Sequence, residues 1–449
     1  MDTHAIARWA LEQEARALLT RLRRIRPFAL QETMLPAAAL TPAAQLAIER
    51  FLIGNRYQLR QDVLGYLGWL RDVDASTTPA EMQRRFTIVR LRFNDALTHF
   101  DLFSELITQR SEHDTGVWLA GLDVIAGDAL RLPGDYFEQP QVVCYLARGP
   151  GAAIRRARTR LPGGGQNPVA IIRVPRERMV GHGIASSLVH EVGHQAASLL
   201  ELVESLRPPL AAQRSGAAPG ERTAWGSWER WISEVVADLW SVAKIGIGSS
   251  LGLIGVVSLP SWYVFRANAD DPHPMPWIRV KLSCAVGDAL YPHPQWRELA
   301  TLWESLYPPS ELDAARQQAL AALEATVPRL VALLVDHRPR SLHGRSLREV
   351  MPLAEREPPR LARLWQSCRR APGRLRDLAP SLAFAVLGQA PALGELSPET
   401  ESRTVGGLLT YWALRSTFEL PVPPRAPGRP TTPSRPAPAW PAPAHLQPA

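Results

Sequence analysis

Residues Ser186–Val203 read SSLVHEVGHQAASLLELV. Leu188, Val192, Leu199 and Leu202 recur at helical spacing, which predicts a helix that buries one side. On that helix His190 and His194 are four residues apart, on one face and a turn from each other, so both imidazoles can address one ion. Glu191 directly follows the first histidine, placed to hold and deprotonate a water at that ion. Gly193 permits close approach of another element. The chain has 11 histidines, and two polar residues satisfied within a core helix would give the same pattern. The rest of the sequence has to decide.

A catalytic zinc takes three protein ligands and keeps one position for water. A further Gly and His on the same helix, three and six residues after His194, are ruled out by Ala197 and Leu200. The next helical segment offers WISEVVADLW, residues Trp231–Trp240, with Glu234 and Asp238 at i and i+4 among Ile232, Val235, Val236 and Leu239. Carboxylates buried on so apolar a helix are costly unless a cation and a histidine N–H partner them. Glu234 is therefore the expected third ligand. Asp238 is the expected acceptor behind it, orienting one histidine through its other ring nitrogen. The simpler alternative is a solvent-facing pair of acids. Trp225, Trp228, Trp231 and Trp240 lie on the same segment and read as a core or groove-lining stripe.

HExxH followed by a downstream ExxxD resembles the gluzincin metallopeptidases, and EVVAD, with Ala237 before the aspartate, is similar to the ExxAD of the Ste24/HtpX-like peptidases. Those enzymes carry a later His-Pro followed by an arginine, and DDPHPMPWIRV supplies His273, Pro274 and Arg279. The likeness spans about residues 175–280. It implies a zincin-like core with a small sheet, a Zn2+ ion, and hydrolysis of a peptide or protein substrate with Glu191 as general base. It further implies that His273 helps to stabilise the oxyanion and that Arg279 organises the acidic ligands. It also implies a strand along the cleft that pairs with extended substrate, for which PVAIIRVP, residues 168–175, is the candidate. By spacing alone, His273 and the similar His293 of YPHP read as turn residues.

The expected fold class is mainly α, of α+β type. At 449 residues the chain exceeds one ordinary core. Residues 1–135 read as an N-terminal helical region, 136–310 as the metallopeptidase-like core and 311–418 as a C-terminal helical region. The stretch 419–449 reads as a Pro-rich disordered tail, a tether or a ligand for a protein partner. Within the core, QVVCYLA (141–147) and NPVAIIRVP (167–175) read as strands joined by an arginine-rich helix, and RPPLAAQRSGAAPGERT (207–223) as a surface loop. Beyond residue 277, helices are punctuated by YPHP, YPPS, EPPR and RAPG.

Neither a signal nor a transit pattern opens the chain, so a cytoplasmic location is expected. Cys144, Cys284 and Cys368 form no CxxC, which excludes a disulfide framework and a cysteine zinc finger. The formal charge of +8 comes from 51 Lys+Arg against 43 Asp+Glu. The arginines are dispersed rather than interleaved with aromatic residues, so nucleic acid is not the favoured partner. IGIGSSLGLIGVVSLPSWYVF, Ile245–Phe265, is uncharged and long enough to span a bilayer. Its Gly and Ser content and Pro260 favour a buried helix or helix pair over membrane association. Two readings stand beside the peptidase: a metal-stabilised scaffold or protein-binding module with an inactive site, and a nucleic-acid- or membrane-associated helical protein in which the motif is incidental.

Overall fold

A computed structural model describes residues 2–148, 151–161, 165–175, 181–268 and 270–419. Three long helices come first: α1 (Thr3–Arg24), α2 (Pro42–Asp72) and α3 (Pro79–Thr108). Both α2 and α3 start where a threonine side chain accepts a backbone N–H and a proline occupies the first turn. The three helices enclose a core of their own around Leu18, Val63, Phe86 and Phe93. Then α4 (His113–Leu130) leads into the sheet.

The sheet has the order β1-β3-β2, with β3 (Ala170–Pro175) parallel to β1 (Val142–Ala147) and antiparallel to β2 (Ala153–Arg155). Strand alternation divides it between two cores. Cys144, Leu146, Ile172 and Val174 face the main core, whereas Val143, Tyr145 and Ile171 face Ile48, Leu52 and Phe103 of the N-terminal helices. Burial on both faces explains why these strands read as continuous apolar runs.

Two expectations change here. The arginine-rich piece forms β2 and a turn instead of a helix, because side chains hold its backbone open. Gln195 Oε1 accepts Ala157 N–H at 2.7 Å, and Asn167 Nδ2 donates to the carbonyls of Arg155 and Arg156. In addition, β3 is the central strand and pairs on both sides, so an extended substrate cannot join its edge over Ile171–Arg173. The edge strand on that side is β2.

Helices then continue as α5 (His182–Leu199), α6 (Leu202–Gly216), α7 (Pro219–Ile245), α8 (Ile247–Val257), α9 (Ser261–Val264), α10 (Pro276–Leu290), α11 (Gln295–Leu306) and α12 (Ala314–Asp336). The chain closes with α13 (Leu347–Val350), α14 (Pro358–Arg370), α15 (Arg374–Asp377), α16 (Pro380–Ala392) and α17 (Pro398–Glu419). The four proline punctuations fall at helix ends. Residues 420–449, nearly all of the Pro-rich stretch, lie outside the described residues.

The stretch 207–223, expected as a loop, is mostly helix, and Pro208 and Pro209 lie inside α6. Leu202, Leu206 and Leu210, stepping by four, bury one side of α6, and α6 packs on α7. That burial outweighs the two missing N–H donors. Ile245–Phe265 is the helix pair α8 and α9, turned off α7 at Gly246, whose φ is +58°. Among the described residues, α12 is the one helix long and apolar enough to cross a membrane by length and composition, and its Leu320, Leu330 and Leu334 are buried in the core.

That core runs without a break from Leu119 in α4 to Trp412 in α17. It therefore includes both motif helices, α5 and α7, and the C-terminal helices. A polar contact ties them as well. His182, the first residue of α5, points Nδ1 at the Glu401 carboxylate of α17, 3.1 and 3.2 Å from its oxygens. Glu401 is 2% exposed. It supplies negative charge at a helix N-terminus that has no side-chain cap of its own.

Candidate metal centre

The antiparallel helices α5 and α7 meet at Gly193. A Cβ there would stand 2.8 Å from both the Cα and the carbonyl oxygen of Ala237. The two small residues let the backbones close up, which brings the four-residue steps of the two helices face to face. His190 Nε2 lies 3.2 Å from Glu234 Oε2, and His194 Nε2 lies 3.3 Å from Glu234 Oε1. One ligand atom from each of His190, His194 and Glu234 falls within 4.8 Å of the others, so the group can hold a metal ion. Tetrahedral zinc with bonds of about 2.05 Å places its ligand atoms about 3.3 Å apart. The two His–Glu separations run to different oxygens of Glu234, so the group offers two imidazole nitrogens and a carboxylate to an ion, with a spread wider than a closed tetrahedral edge.

Beside this group, Asp238 Oδ1 is 2.8 Å from His190 Nδ1, within hydrogen-bond distance of the ring nitrogen that does not face Glu234. Arg279 of α10 grips the same carboxylate twice, through Nε at 2.7 Å and Nη2 at 2.9 Å, and reaches Glu234 Oε2 at 3.5 Å. Arg279 Nη2 also lies 3.5 Å from both ring nitrogens of His190. Ser233 Oγ is 3.3 Å from His194 Nδ1.

His273 joins from the loop before α10, with Nε2 3.3 Å from Glu234 Oε2. Its side chain is 49% exposed, against 14% for His190 and for His194 and 10% for Glu234. Its other nitrogen meets a residue the sequence reading missed: Asp271 Oδ1 lies 2.8 Å from His273 Nδ1 and accepts the His273 backbone N–H at 3.0 Å. Arg266 holds the second Asp271 oxygen at 2.7 Å. The available signal was an aspartate two residues before a histidine in a proline-bounded turn. His293 is elsewhere, in the α10–α11 turn, where its Nδ1 accepts the Gln295 N–H at 3.3 Å.

Burial works against every charge in this cluster, and the partners outweigh it. Burial would pull the His190 imidazolium down, yet the Asp238 charge, with hydrogen bonds to Asp238 and Glu234, raises it to about 9. Asp238, despite burial, is lowered to about 2 by Arg279 and His190. Glu234 is held well below the carboxylate range by hydrogen bonds from His190 and His194 and by the positive charges around it. The acids are therefore anionic at neutral pH, and a metal entering the site displaces a proton.

Glu191 is buried on α5 beside His190, and its charge is felt by Arg279. Among the described residues, no hydrogen bond or ion pair occupies its carboxylate. The tryptophan stripe belongs to the core: Trp225, Trp228 and Trp240 are fully buried, and Trp228 Nε1 donates to Thr326 Oγ1 at 2.8 Å.

No family model matches the chain, and comparisons with curated proteins and with solved structures give no match.

Proposed function

We propose that the protein is a zinc-dependent peptidase. The observation that supports this most is the convergence of His190, His194 and Glu234 from two helices, with Glu191 next to His190 on α5 and its carboxylate free of hydrogen bonds and ion pairs among the described residues. His190, His194 and Glu234 would hold the ion, which would supply Lewis acidity for a water and for the scissile carbonyl. Glu191 takes a proton from the attacking water and returns it to the leaving amine, so that one peptide bond and one water become a carboxylate and an amine. His273, the most exposed member of the cluster, is turned by Asp271 so that Nε2 faces inward and can donate to the developing oxyanion. Asp238 and Arg279 fix the ligands in place.

A second reading, a metal-stabilised scaffold without turnover, draws on the low exposure of the three ligands, 14%, 14% and 10%. One pair of proteins separates the two. Metal content is measured by mass spectrometry, and hydrolysis with a fluorogenic peptide library, in the wild type and in Glu191→Gln. The peptidase reading expects about one zinc in each protein, lost in a His190→Ala, His194→Ala variant, and a fall in turnover of about 100- to 10,000-fold for Glu191→Gln. Zinc in both proteins with no hydrolysis in the wild type is the scaffold outcome.

A further inference from the structure

The solvent-accessible side of α7 forms a single stripe. Thr223, Gly226, Arg230 and Ser233, at i, i+3, i+7 and i+10, are accessible, while Ala224, Trp225, Ser227, Trp228, Trp231 and Ile232 between them are buried. The stripe ends at the metal centre: Ser233 touches His194, and one turn further on Ala237 is covered by Gly193. Its other end widens into a groove of about 440 Å3 between α6 and α7, lined by Arg207, Arg214, Thr223, Gly226, Glu229 and Arg230.

The charges in this groove do not balance. Its one carboxylate, Glu229, is taken by Arg214 at 2.8 Å. Arg207 and Arg230 have no carboxylate partner among the described residues, and Arg230 rests its Nη2 on Ser227 Oγ at 3.2 Å. Two exposed guanidinium forks in one groove match a carboxylate in shape and charge. Arg230 lies one turn before Glu234, about 6 Å along the axis at 1.5 Å per residue. An extended peptide covers about 3.3 Å per residue.

We propose that the α6–α7 groove binds a substrate carboxylate through Arg207 and Arg230, so that the bond cleaved lies within about two to four residues of that group. This rests on the peptidase reading for its location and names the substrate class. The carboxylate can come from an Asp or Glu side chain or from the substrate's C-terminus.

Binding is tested without turnover, in full-length zinc-loaded Glu191→Gln, by fluorescence anisotropy with labelled peptides. One peptide carries internal Glu and an amidated C-terminus, one is neutral and amidated, one is neutral with a free C-terminus, and one carries internal Lys. One or both carboxylate peptides are expected to bind about ten-fold or more tighter than the neutral amide, and which one does identifies the source. The preference should disappear in Arg207→Ala, Arg230→Ala and pass to the Lys peptide in Arg207→Glu, Arg230→Glu. Equal binding of all four peptides, no binding of any, or a preference that survives the double alanine variant overturns the proposal. Mapping cleavage sites of the wild type keeps the two ideas apart. Sites without a nearby carboxylate defeat the groove and leave hydrolysis standing, whereas carboxylate-selective binding with no cleavage defeats hydrolysis and leaves the groove.

Discussion

Replacing Gly193 with alanine tests whether the approach of α5 to α7 builds the metal centre. The added Cβ would sit 2.8 Å from Ala237 Cα, 2.8 Å from Ala237 O and 3.1 Å from Trp240 Cβ. Ordinary carbon contacts need about 3.5 Å or more, so α5 must move off α7 by roughly 0.7 Å. Alanine favours a helix over glycine by about 0.8–1 kcal/mol, and overpacking a tight core costs about 1–3 kcal/mol. The net expectation is a loss of about 0–2 kcal/mol in denaturant unfolding. The larger effect falls on the metal, because His190 and His194 move with α5 while Glu234 stays with α7. Zinc affinity, measured by competition with a chromophoric chelator, should drop about 10- to 100-fold, the scale seen when ligand orientation is disturbed. The obstructing atoms include Ala237 backbone, so Ala237→Gly should not restore the affinity of Gly193→Ala. A Gly193→Ala protein with wild-type zinc affinity, or full rescue by Ala237→Gly, refutes this account of the site.

Asp238→Asn removes the charge that His190 and Arg279 share, and zinc affinity by the same competition assay should fall about 10- to 100-fold. Unchanged affinity would separate Asp238 from ligand orientation. Lys244, 2% exposed, is lowered to about 7 by burial and by Arg356 and Arg131, against the opposing pull of Asp128. Unfolded lysine keeps its proton to about 10.4. The unfolded state therefore binds more protons across that window, and stability contributed by this group rises with pH. Relative to Lys244→Met, the wild type should gain on the order of 3 kcal/mol between pH 7 and pH 10 in denaturant titrations, and parallel profiles would contradict the assignment. Thr326→Val leaves the buried Trp228 N–H without an acceptor and should cost about 1–3 kcal/mol, with Thr326→Ser close to wild type. Equal unfolding midpoints for the two variants would show that the bond is dispensable.

What could be read from the sequence follows from which forces act locally. His190, His194, Glu234 and Asp238 were legible because a helix turns any i, i+4 pair onto one face, and because carboxylates on the apolar α7 demand partners. Asp271 was not, since a short turn has no periodicity to mark it. At 207–223 the composition misled: Pro208 and Pro209 read as breakers, but Leu202, Leu206 and Leu210 already carried the helical step that holds α6. The three residues of β2 are too few for alternation to register, and the bonds that keep them extended come from Gln195 and Asn167, outside the strand. The central place of β3 is a matter of pairing partners, which only the assembled sheet defines.

The contact between His182 and Glu401 joins residues 219 positions apart. During synthesis, the histidine motif emerges long before the carboxylate that anchors the start of its helix, and closing such a distant contact comes late in folding. The centre then acquires its final anchor only after α17 has left the ribosome. The candidate site is thus among the last parts of the fold to be fixed, although its own residues lie in the middle of the chain.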